Sequence, residues 1–158
     1  MQVAEVPQNE QDRLKALLKL QILDTEPDST FDAVTSLAAS IFQVPIVLVS
    51  LIDEQRQWFK SRQGLDVCQT DRKLAFCAHA ILQPDIFIVE DALQDERFAG
   101  NPLVCTIPNI RFYAGMPLND GRGHNLGTLC VIDSLPRQLS EQQRKSLQML
   151  AQQTVQLF

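Results

Sequence analysis

Ile46-Val47-Leu48-Val49-Ser50-Leu51-Ile52 decides the fold. Every residue but Ser50 is large and apolar, and Ile46, Val47, Val49 and Ile52 are β-branched. The run is too short for a typical helix and too continuous for a strand with one wet face. It predicts a central strand buried on both sides. Asp53-Glu54 then turns the chain, and Gln57 to Arg62 returns as a hairpin partner. Strict alternation would set Trp58, Lys60 and Arg62 on one face and Phe59 and Ser61 on the other.

Upstream, the spacing predicts helices. Asn9 to Leu20 carries Leu14, Leu17 and Leu18. Ser29 is a candidate cap for a second helix, whose stripe is Phe31, Val34, Leu37, Ala38, Ile41 and Phe42. Downstream, Gly64 to Val104 is irregular, with a short helix over Leu74 to Leu82, a short strand over Ile86 to Val89 and a polar loop over Asp91 to Asn101. A crossover that long inside a compact domain is usually functional. Arg111 to Leu118 alternates, with Phe112, Ala114, Met116 and Leu118 facing one way and Tyr113 and Gly115 the other. Asp120-Gly121-Arg122-Gly123 is a hairpin turn, and Leu126 to Asp133 is the returning strand. A capped final helix opens at Ser140, with Gln143 in the capping-box position. Its stripe of Leu147, Leu150, Ala151, Thr154 and Phe158 reaches the last residue without a stop signal, so it either continues in a longer parent or is covered by a partner. Hairpin-linked strands with segregated helices predict an α+β domain with an antiparallel sheet.

The chain has 158 residues, 45% of them apolar, which suits one domain over 1–158 with helices at 9–42 and 140–158. A net charge of -5 argues against nucleic acid or an anionic membrane as the main partner. Met1 to Gln11 has neither the basic nor the apolar region of a secretory signal, so a cytoplasmic site with reduced thiols is expected. Cys68, Cys77, Cys105 and Cys130 contain no C-x-x-C pair. With only His79 and His124 as imidazoles, no metal centre is expected.

Three segments carry a family resemblance: Val44 to Asp53 with Arg56 to Ser61; Phe76-Cys77-Ala78-His79-Ala80-Ile81; and Arg111 to Leu118 with Leu126 to Asp133. Taken in order, they resemble the GAF domain, in the bacterial subgroup found at the N-terminus of diguanylate cyclases, phosphodiesterases and sensor histidine kinases. The likeness runs from about Arg13 to Phe158. It implies a central sheet of five or six antiparallel strands, terminal helices on one face and a small-molecule pocket on the other. It also implies a homodimer formed through the terminal helices, and regulation of an attached or partner cyclase, phosphodiesterase or kinase domain.

The residues proposed to line that pocket are Trp58, Phe76, Cys77, His79, Asp91, Arg111, Tyr113 and Cys130, with Lys60, Arg62 and Asp133 as further polar candidates. Neither the ligand nor any cofactor is named by the sequence. Cys77 and His79 share a face only if the segment is a strand; in a helix they diverge. No catalytic residue is expected on the main reading. Two alternatives stand beside it. One is an enzyme like the free methionine-R-sulfoxide reductases, using Cys77 and Cys105, although Ala78 replaces the glycine of that family and its acidic substrate-holding residues are mostly missing. The other is a dimerisation adaptor with no ligand. The asparagine-lysine-phenylalanine-aspartate-glutamate signature of cyclic-nucleotide GAF domains is absent, and Cys77 lacks the neighbouring histidine usual at a chromophore attachment site.

Overall fold

The computed structural model describes residues 1–158. Two helices, α1 (Glu10–Lys19) and α2 (Ser29–Phe42), precede β1 (Ile46–Ile52) and β2 (Arg56–Gln63). The crossover holds β3 (Gln69–Asp71), α3 (Phe76–Ala80), β4 (Phe87–Val89) and α4 (Pro102–Cys105). The hairpin β5 (Phe112–Asn119) and β6 (Asn125–Asp133) leads to α5 (Glu141–Val155). The six strands lie in the order β3-β2-β1-β6-β5-β4. Every pairing is antiparallel.

β1 is central and buried at all seven positions, because each face of the sheet has its own core. On one side Val47, Val49 and Leu51 meet Leu17, Phe31, Ala38 and Phe42 of the first two helices and Leu147 and Ala151 of α5. On the other, Ile46, Leu48 and Ile52 meet the crossover through Phe76, Phe98 and Val104. Each core has 19 buried residues, so neither face is left to solvent and the strand reads as an unbroken apolar run.

The helix stripes are rotated from their expected positions. In α2 the buried residues are Phe31, Thr35, Ala38 and Phe42, while Leu37 and Ile41 remain 51% and 43% exposed. Thr35 is accepted inside because its hydroxyl meets Ser61 Oγ at 2.8 Å. Asp28, not Ser29, caps this helix: it is extended, and its carboxylate accepts from Thr30 N at 2.8 Å. In α1 the buried face is Arg13 and Leu17, and Leu18 is 61% exposed. The capping box of Ser140 and Gln143 is formed as expected. Phe158 stacks on Phe31 with ring centres 6.1 Å apart.

Alternation fails once in β2. The β1–β2 register skips Lys60, passing from Ser50 opposite Phe59 to Val49 opposite Ser61. This bulge sends two successive side chains to the helix side. Lys60 Nζ donates to Thr25 Oγ1 and to Glu26 O, and Ser61 Oγ donates to Asp32 at 2.6 Å. Trp58 keeps the helix face and Phe59 the opposite one. Arg62 lies in the exposed end of the strand. The three-residue strand β3 and the helix α4 are elements that sequence periodicity missed, being too short to show a period.

Candidate functional site

The crossover does not close tightly over the sheet. Between them lies a cavity of about 390 Å³. Its floor is Leu48, Phe59 and Tyr113 from the strands with Phe76 and Cys77 from α3. Leu103, Ile107, Pro108 and Ile110 form one wall, and Gly64 to Val67 form the rim. Gln57 and Thr70 supply neutral polar groups, and Asp66 is the one charged residue among those that line it. Gln57 gives its amide N–H to Thr70 Oγ1 at 3.0 Å. Its Oε1 is buried and has no partner. Such an orphaned acceptor costs about 1–3 kcal/mol.

Cys77 is the most densely contacted polar group here. Tyr113 Oη and Thr128 Oγ1 each donate to its sulfur at 3.0 Å, and Cys130 Sγ lies at 3.9 Å. Burial pushes the thiol up, but the contact with Cys130 and the hydrogen bonds donated by Thr128 and Tyr113 outweigh it and hold Cys77 below the ordinary cysteine value. Burial raises Cys130, and its neighbour Cys77 raises it further.

Gly115 makes the Tyr113 contact possible. Residues two apart on a strand share a face, and the tyrosine ring lies over the glycine. A Cβ at Gly115 would overlap the tyrosine hydroxyl and stand 2.7 Å from Cζ. Gly115→Ala will therefore turn the ring off Cys77 and destabilise the domain by about 1–3 kcal/mol. Thermal unfolding and the pH dependence of Cys77 alkylation check this: the midpoint of the alkylation profile will move upward as the donor is lost. An unmoved profile would show that Tyr113 does not act on the thiol.

The structure brings Phe76, Cys77 and Tyr113 together on the cavity, with Cys130 directly beneath Cys77. The other proposed residues lie elsewhere. Trp58 faces the helix-side core, because it stands one residue out of phase with Phe59. His79 diverges from Cys77 because α3 is helical; its Nε2 lies 3.1 Å from Gln2 O, and its ring meets Phe98 edge-on. Burial, with Arg97 nearby, keeps this imidazole below its ordinary value. Asp91 caps the turn at Ala92–Gln94 by accepting from Leu93 N. Arg111 does not line the cavity; it is spent on the carbonyls of Val104 and Ile110, at the two ends of the loop that forms one wall. Lys60 is on the helix side, and Asp133 pairs with Arg137. Cys105 is exposed, its thiol donating to Ala99 O, and the sulfur facing Cys77 is that of Cys130. Gln57, Thr70 and Asp66 were not anticipated; the in-phase pairing of Gln57 with Phe59 was the available signal.

The GAF domain family model matches residues 26–157. The chain belongs to the GAF family. This GAF chain is 48% identical over 131 residues to a protein of Pseudomonas aeruginosa named cyclic di-GMP phosphodiesterase. The match takes in 83% of this chain but 22% of that protein, so the chain spans about a fifth of its relative's length. The phosphodiesterase name belongs to the longer protein as a whole. Among solved structures, the GAF domain of an Acinetobacter phosphoenolpyruvate-protein phosphotransferase superposes with a TM-score of 0.66 at 22% identity, covering 93% of this chain and 90% of that one. A type II free methionine-R-sulfoxide reductase from Thermoplasma acidophilum superposes with a TM-score of 0.67 at 14% identity, covering 89% of this chain and 94% of that one. At such identities these likenesses establish the α+β GAF fold alone. No helix in the chain is long and apolar enough to cross a membrane.

Proposed function

We propose that this GAF domain is a cytoplasmic regulatory module that binds a small molecule in the cavity and controls an attached or partner signalling output domain. The observation that carries the reading is the 48% identity to a region making up 22% of a longer phosphodiesterase. A segment of that share reads as an input to the activity rather than as the activity itself. The preformed apolar cavity supplies an input site. It also speaks against an adaptor whose pocket is filled. The separate settings of Cys77 and Cys105 speak against a reductase built on that pair. A ligand acts on the output only through a difference in affinity between two states.

The test is a chimaera in which this chain replaces the matching region of the Pseudomonas protein. Leu48→Trp, placed to fill the cavity floor, will change phosphodiesterase activity several-fold while the domain stays folded. An active chimaera indifferent to the filling would count against ligand control.

Dimerisation through the terminal helices is part of the proposal. Leu18, Leu37, Ile41 and Met149 expose between 43% and 65% of their surface on these helices. Met149→Glu will shift a homodimer toward monomer in light-scattering measurements. Leu147 is unsuitable for that test, because it is 0% exposed in the domain's own core. A wild-type chain monomeric at all concentrations would remove dimerisation from the proposal.

A further inference from the structure

From the chemistry of the cavity wall we infer the class of ligand: a largely apolar molecule, neutral or cationic. Phosphate-bearing nucleotides, cyclic dinucleotides among them, are excluded. This inference rests on the reading of the domain as a small-molecule sensor.

The charge balance is the first argument. No lysine, arginine or histidine lines the cavity, and its one ionisable carboxyl is Asp66 at the rim. An anionic ligand needs a guanidinium, an ammonium or several convergent N–H groups. Most arginines on the surrounding elements are already engaged, and Arg62, at the exposed end of β2, is not among the lining residues. Arg72 pairs with Glu10, Arg97 with Asp95 and Arg137 with Asp133. Arg111 is fixed on two carbonyls. A phosphate entering this site would exchange water for apolar walls and meet a carboxylate of its own sign.

The second argument is the carboxyl at the rim. Asp66 is an acceptor there, which favours a donor-rich or cationic end of the occupant.

Size is the third. The cavity of 390 Å³ sits toward the lower end of small-molecule sites, which run from about 300 to 1,000 Å³. The flat faces of Phe59, Phe76 and Tyr113 suit a planar ring system. A dinucleotide lacks a charge partner here. The input to this domain is therefore chemically unlike the substrate named for its Pseudomonas relative.

The test is a titration of the 158-residue chain, followed by amide and side-chain NMR, with four probes: indole, tryptamine, cyclic GMP and cyclic di-GMP. Indole and tryptamine will shift the signals of Phe59, Phe76 and Tyr113 at millimolar concentration, and the nucleotides will leave them unmoved. Nucleotide binding at these residues overturns the ligand class and leaves the sensor reading standing. Silence of the cavity signals toward all four probes overturns both.

Discussion

Gly127→Ala will destabilise the domain by about 3 kcal/mol or more, a large share of the stability of a domain this size. Gly127 lies on β6 opposite Leu51 and Leu118 of its two neighbours, at the middle of the sheet. A Cβ there would collide with the Ser50 carbonyl and stand 2.8 Å from the Leu51 Cα. Both are backbone atoms of the central strand, so no side chain can turn aside to make room. The two strands must part where they carry the ladder between both cores. Urea unfolding measures the loss. Gly121→Ala is the control: its φ of +81° carries strain, but nothing lies within 4 Å of the added carbon. That variant will lose only about 1 kcal/mol. Equal losses at the two positions would show that sheet crowding is not the cause at Gly127.

Arg13→Met will cost about 3–5 kcal/mol, and the loss will shrink when Glu10→Gln is added. Arg13 is 1% exposed. Its guanidinium donates to Ile52 O at 2.8 Å and reaches both oxygens of Glu10, at 2.7 and 3.2 Å. Glu10 also accepts from Arg72, which bonds to Asp53 O as well. This network joins α1 to the end of β1. Burial alone would raise the Glu10 carboxyl, but the hydrogen bonds from Arg72 and Arg13 lower it to about 2, from 4.5. A depressed carboxyl stabilises the fold fully above about pH 4.5 and loses that contribution as pH falls toward 2. The shift corresponds to about 3 kcal/mol at most. Wild-type stability will fall across this window, and the double variant will show a flatter profile there. Parallel profiles would mean that Glu10 is not the titrating group.

Much of the fold was legible in the residues. The unbroken run of β1 announced two covered faces, and the glycines of Asp120 to Gly123 announced the β5–β6 hairpin. What misled was regularity assumed too far. The stripe of α2 counted Leu37 and Ile41 as buried because they are apolar and passed over Thr35, which is buried because Ser61 answers its hydroxyl. The alternation of β2 broke at Lys60, and a bulge has no dependable sequence signature. The aromatic residues of the family segments do not share one environment: Trp58 and Phe59 are neighbours on opposite faces. Phe76, Cys77 and Tyr113, which line the cavity, sit where local patterning fixes direction. Gln57 and Asp66 became visible only through three-dimensional proximity.

The bulge at Lys60 has a mechanical consequence. Phe59 forms part of the cavity floor, and the next residue grips the segment leading into α2 through Thr25 and Glu26. A single peptide bond thus separates the cavity from the helix layer across the thickness of the sheet. Ser61, one residue further, holds Asp32 and Thr35 in the same helix. Strain applied to Phe59 from the cavity has a lever arm one residue long, and its far end is the helix that packs beside α5.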